Sequence, residues 1–90
     1  ENKVYTGMYY SDGNTDGDSI SVSDTSLVLP DGTVEDYSLS VWKNMPETDE
    51  ESGFINYVDY CFLKINGEKL RYDPAEKEIV FGDTVYKLVA

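Results

Sequence analysis

Short runs of alternating apolar and polar residues, broken by turn signals every 8–12 positions, dominate the chain, the pattern of an all-β fold. Residues 4–11 (VYTGMYYS) read as a first strand, with Val4, Met8 and Tyr10 on the inner side and Tyr5 and Tyr9 on the outer. Within residues 18–23, Ile20 and Val22 alternate inward. Pro30, Asp31 and Gly32 form a sharp turn, because proline presets φ and glycine relieves the backbone. Beyond it Tyr37, Leu39 and Val41 alternate with Asp36, Ser38 and Ser40, as in a strand with one wet face. Residues 43–53 (KNMPETDEESG) are acidic, carry proline and lack an apolar period, so they read as a solvated, mobile loop. Residues 54–65 are apolar on both sides, which predicts a long, central, bulged strand. Asn66 and Gly67, both tolerant of positive φ, predict a two-residue hairpin turn. Residues 68–72, 78–81 and 84–89 then complete a four-strand meander.

The pattern therefore predicts about eight short antiparallel strands in a single domain spanning residues 1–90. A small up-and-down barrel leaves no exposed edge and is the preferred arrangement, with a β-sandwich as the alternative. The expected core is Met8, Ile20, Val22, Leu27, Leu29, Tyr37, Leu39, Val41, Ile55, Cys61, Leu63, Leu70, Ile79, Phe81 and Leu88. There is no internal repeat and no helical pattern.

Composition narrows the function. The chain is 40% hydrophobic and 13% aromatic, which separates it from a disordered acidic tail. Ninety residues bury about 60–65% of their unfolded surface, enough for one small core but little for a deep enzyme cleft. The net charge is −11 and is carried by the N-terminal part: residues 1–59 hold thirteen acids and two bases, residues 60–90 five of each. Such a domain repels nucleic acid and anionic membranes, while a cation or a basic partner stays compatible with it. No run approaches the ~20 apolar residues of a membrane span, so membrane insertion is not expected. The lone Cys61 cannot form an internal disulfide and reads as a small buried hydrophobe. The chain opens at Glu1 without methionine or a signal peptide, which reads as a mature or trimmed product.

Gly7, Met8 and Tyr9 give a G-x-Y opening that resembles the G-x-W of lipocalin-like barrels. The rhythm of residues 67–89 (GEKLRYDPAEKEIVFGDTVYKLV) is similar to the end of small lipocalin-like domains in secreted bacterial lipoproteins. The resemblance implies an up-and-down barrel in a bacterial protein that is secreted or held at the cell surface. The chain is shorter than a full lipocalin and has no disulfide or C-terminal helix. A barrel of eight short strands is often filled by its own side chains rather than by a ligand.

Asp12, Asn14, Asp16 and Gly17 spell the front half of an EF-type calcium loop, where oxygens at positions 1, 3 and 5 precede a glycine at 6. Asp18 can add a backbone carbonyl. Position 12, normally a bidentate glutamate, is Ser23, and the same residues equally suit a polar hairpin turn. Asp59 falls on an otherwise apolar side of its strand. It reads as a ligand-orienting acid, as a structural partner of Arg71 or a tyrosine, or as a residue turned outward by a bulge. Eight tyrosines (Tyr5, Tyr9, Tyr10, Tyr37, Tyr57, Tyr60, Tyr72 and Tyr86) and Trp42 supply surface for a ligand or partner, with Tyr9, Tyr57 and Tyr60 beside Asp59 the leading candidates. Glu47, Asp49, Glu50 and Glu51 form an acidic run suited to solvent or to a basic partner.

Catalysis has little to stand on. The chain has no histidine, no zinc set and no phosphate-binding glycine loop, and nothing nominates the two carboxylates that glycoside hydrolysis would need. These observations point to a monomeric, non-enzymatic accessory or binding domain. It would contact a protein or small ligand through exposed tyrosines or the barrel mouth. The alternative is a structural module stabilised by calcium at residues 12–18, and no other cofactor is expected.

Overall fold

The computed structural model describes residues 3–89. Nine strands make one antiparallel sheet: β1 (Gly7–Ser11), β2 (Ser19–Val22), β3 (Ser26–Val28), β4 (Val34–Asp36), β5 (Ser38–Thr48), β6 (Ile55–Ile65), β7 (Glu68–Asp73), β8 (Glu78–Phe81) and β9 (Thr84–Val89). Their order is β4-β3-β2-β1-β9-β8-β7-β6-β5. Neighbouring strands are consecutive in the chain throughout, except where the first strand meets the last. The sheet curls into a half-barrel around a single core, so the sandwich alternative gives way to one continuous sheet. Its two ends, β4 and β5, are separated in the chain only by Tyr37. One bent run thus pairs first with β3 and then with β6.

Register decides which residues are buried. Tyr9 lies opposite Leu88 on one side and Ile20 on the other. Val41, Cys61, Tyr72, Ile79 and Tyr86 form a second row across five strands. Tyr9, Ile20, Leu27, Leu63 and Ile79 are completely buried. The interior is therefore filled by side chains, and two tyrosines occupy much of it.

Those two tyrosines also hold the chain that enters β1. Tyr9 Oη donates to the Tyr5 carbonyl at 2.5 Å, and Tyr72 Oη accepts from the Tyr5 N–H at 2.9 Å while donating to the Lys3 carbonyl at 3.1 Å. Residues 3–6 thus form a strap across one end of the half-barrel instead of extending β1 as expected. The chain turns at Gly7, where φ is +138° and a Cβ would meet Leu88 Cδ1 at 2.9 Å. Only glycine fits both constraints.

The strap reverses the expected facing of the first strand. Tyr9 points inward and Met8, placed in the core from sequence, is 37% exposed. Tyr72 and Tyr86 are likewise buried, and Ile65 joins them. At the other end of the sheet order β6 is second from the edge, not central, and the bulge expected on it lies on β5 between Trp42 and Met45. The hairpin at Asn66 and Gly67 forms between β6 and β7 as expected, but only Gly67 takes a positive φ, +84°.

Candidate functional site

The largest departure from the sequence reading is at residues 43–53. Most of that stretch is strand: β5 continues to Thr48, and only a tight turn separates it from β6. Two unpaired residues, Lys43 and Asn44, shift the register, after which Met45 pairs with Val58, Pro46 with Tyr57, Glu47 with Asn56 and Thr48 with Ile55. Asn44 sits at φ +57°, a conformation asparagine tolerates better than most residues, and its N–H donates to Asp59 Oδ1 at 3.1 Å. Asp59 is therefore exposed and secures the bulge; it makes no ion pair with Arg71. In the turn, Asp49 Oδ1 accepts the N–H groups of Glu51 (2.9 Å) and Ser52 (3.4 Å), and these bonds hold its carboxyl below the usual aspartate range. The Asp49 carbonyl accepts from Gly53 N–H at 2.8 Å.

β7 pairs with β6 only from Cys61 to Ile65. Residues 55–60 of β6 therefore have β5 as their sole neighbour and form a two-stranded arm beyond the half-barrel. At about 3.4 Å per residue the arm rises roughly 20 Å, which accounts for the 40 × 26 × 24 Å shape. Large apolar side chains on it are open to solvent: Phe54 is 73% exposed, Tyr57 67% and Ile55 56%, with Trp42 at the root 41%. Ile55, expected in the core, belongs to this set. The pairing puts Pro46, Thr48, Ile55 and Tyr57 on one face of the ribbon.

A groove of about 220 Å³ lies at the arm's root, lined by Glu47, Val58, Asp59, Tyr60, Cys61, Arg71, Tyr72, Asp73 and Pro74. Three carboxylates face it, and each already accepts a bond from the protein itself. Asp59 holds Asn44, Glu47 Oε2 accepts from Tyr60 Oη at 2.9 Å, and Asp73 Oδ1 takes the N–H groups of Ala75 and Glu76. The bond to Glu47 pushes the Tyr60 hydroxyl up. Burial likewise pushes the Cys61 thiol up, with Asp59 and Asp73 adding to it, so the thiolate is disfavoured.

On the outer face of β5, β6 and β7, cations stack on aromatic rings. Lys69 Nζ lies 4.2 Å from the Trp42 ring centre and 5.3 Å from Phe62, and Arg71 Cζ lies 4.0 Å from Tyr60. Trp42 and Phe62 pack at 5.0 Å. The alternation of Tyr60, Phe62 and Lys64 along β6 was the sequence signal for this outward row, which an assumed central position for the strand concealed.

Of the candidate ligand or partner residues, Asp59 and Tyr60 share the groove, Tyr57 stands on the adjoining arm, and Tyr9 is buried in the core. The Asp12, Asn14, Asp16 and Asp18 loop lies at the opposite end of the half-barrel. It closes through backbone bonds, Gly13 to Tyr10, Asn14 to Ser11 and Gly17 to Asn14, each 2.9 Å, and Asn14 Oδ1 accepts the Asp16 N–H at 2.9 Å. Among the described residues no three acidic, histidine or cysteine side chains converge in a way that could hold a metal ion. No described helix is long and apolar enough to cross a membrane. No protein-family model matches this chain, and comparisons with curated proteins and with solved structures likewise find no match.

Proposed function

We propose that this is a non-enzymatic binding domain that engages a protein partner through the β5–β6 arm and the groove at its root. The observation that carries the reading is where the exposed apolar surface lies. Four of the seven large hydrophobic residues exposed among those described, Trp42, Phe54, Ile55 and Tyr57, belong to the arm or its base. A two-stranded ribbon is marginally stable by itself, and large apolar side chains clustered on one mark an interaction surface. The half-barrel's filled interior directs binding to this outer element rather than to an internal cavity. The carboxylates of the groove all serve the local structure, which supports binding over hydrolysis. Residence outside the cytoplasm rests on the resemblance carried by Gly7 and Tyr9, and the barrel-like fold is compatible with it.

Phenol is a suitable probe, since aromatic rings dominate interface energetics. Titrated against ¹⁵N-labelled protein, it should shift the amides of Met45, Glu47, Thr48 and residues 54–60 ahead of all others. Shifts concentrated in the residue 12–18 loop or in the half-barrel interior would overturn the reading.

A further inference from the structure

We infer that the arm's partner is a protein segment with apolar residues flanked by lysine or arginine, and that it lies on the arm's face instead of pairing with the β5 edge. The inference rests on the arm being the binding element. Charge complementarity selects the partner. Residues 43–59 hold five acids (Glu47, Asp49, Glu50, Glu51 and Asp59) against Lys43 alone, and at the groove Asp73 and Arg71 offset each other. Asp59 follows Tyr57 on the same side of β6, and Asp49, Glu50 and Glu51 make the turn beyond Thr48, so acids stand at both ends of an apolar strip formed by Pro46, Ile55 and Tyr57, with Phe54 at the tip; Glu47 lies on the other face, where Tyr60 Oη donates to it. An apolar centre inside a charged rim is the usual anatomy of a protein interface, and complementary charge steers the approach. A second copy of this chain would bring the same acids against themselves, on top of a net charge of −11 per molecule.

The edge of β5 is poorly suited to an added strand. It carries an unpaired two-residue bulge at Lys43 and Asn44, and Pro46 follows two residues later. Bulges and prolines are devices that block edge pairing. The face has no such obstacle. It continues the side of β6 that is buried inside the half-barrel at Cys61 and Leu63, but here no opposing wall covers it.

Two synthetic peptides of equal length, one alternating lysine with valine and one alternating serine with valine, separate the possibilities. Amide shifts and affinity are recorded at about 50 mM and about 300 mM salt, where screening differs strongly. The lysine peptide should shift residues 45–58 and bind about tenfold more tightly than the serine peptide, with most of that advantage lost at high salt. Ile55→Ser with Tyr57→Ser should abolish binding. These side chains are solvent-exposed, so the fold is retained. Asp12→Asn, Asp16→Asn and Asp18→Asn together, which remove charge at the opposite end, should leave it unchanged. Equal binding of both peptides to the arm would keep the arm as the site and overturn the basic partner. Failure of both to shift the arm would overturn the arm reading as well. Lysine-peptide binding lost in the triple loop variant, or dimerisation through residues 45–58, would likewise overturn the inference.

Discussion

Cys61 and Tyr57 lie four residues apart on the same side of β6, yet one is 5% exposed and the other 67%. The difference is in their neighbours. Cys61 has β5 on one side and β7 on the other, and sits in the row that runs through Tyr72 and Ile79 to Tyr86. Tyr57 has only Pro46 across the ribbon and nothing over it. The same alternation of side chains builds a core in one place and an open apolar face in the other. Burial belongs to the assembled sheet, not to the strand.

Truncating side chains on the two sides of that boundary gives the largest contrast. Leu63→Ala removes a completely buried side chain and should cost about 2–5 kcal/mol in urea denaturation. Tyr57→Ser, in the arm, should stay within about 0.5 kcal/mol of the parent. Comparable losses would mean that the arm is folded into the cooperative core and is not a free binding element.

The same boundary explains what the sequence could and could not disclose. Strands facing one core announced themselves through period-two patterning: Ile20 and Val22, Leu39 and Val41, and the meander from β6 to β9 all emerged from alternation and turn residues. The continuation of β5 to Thr48 did not, because a ribbon wet on both faces has no apolar period, and its acids and proline imitate a loop. The facing of β1 failed for another reason. Val4, Met8 and Tyr10 formed a plausible inner set, and only the hydroxyl bonds from Tyr9 and Tyr72 to residues 3–5, contacts distant in sequence for Tyr72, favour burying the tyrosines. For the site, Asp59, Tyr57 and Tyr60 were legible as chemistry-bearing residues, but their gathering at the arm's root depends on where β7 stops pairing.

The strap is the next test, since it lies across the end of the half-barrel from which the arm leaves. Tyr9→Phe leaves the Tyr5 carbonyl without its donor and should cost about 1–3 kcal/mol. Hydrogen exchange at the Tyr5 amide should accelerate, while amides of residues 45–58 stay as they are. Coupled acceleration in the arm would mean that strap and arm open as one unit. The buried hydroxyls also set a pH limit. Burial first, and the neighbouring Tyr72 next, push the Tyr9 hydroxyl far above the ordinary tyrosine value, and burial also raises Tyr72, Tyr86 and Tyr37. A raised folded-state value means that the native protein keeps protons the unfolded chain gives up. These groups therefore contribute their full stability below about pH 10, the unfolded value, and lose it as pH rises further. Alkaline denaturation followed by circular dichroism should begin above that point, and at a lower pH for Leu63→Ala than for the parent, because the variant has less stability to lose.

Within the arm, Asp59→Ala releases the Asn44 N–H and should cost roughly 0.5–1.5 kcal/mol, read as faster exchange at Asn44 with the half-barrel unaffected. Asn44→Gly, which accepts the same φ, should leave exchange there near the parent value. No loss in the Asp59→Ala variant would move the origin of the arm's order from the bulge to the side-chain stacking at Trp42, Phe62 and Lys69.

The smallest effect is expected at the far end, in the loop of residues 12–18. Its shape comes from backbone bonds and from Asn14, and Asp12, Asp16 and Asp18 are all exposed. Asp16→Ala should change stability by no more than about 0.5 kcal/mol, and added calcium should leave the melting temperature in place. Binding at free calcium about 100-fold above Kd would instead stabilise by roughly 2.7 kcal/mol, well above the scatter of a melting curve. Such a gain, removed by Asp16→Ala, would require the three carboxylates to swing together from their present outward positions. It would also make the acidic loop, and not the arm, the place where this molecule's negative charge has its use.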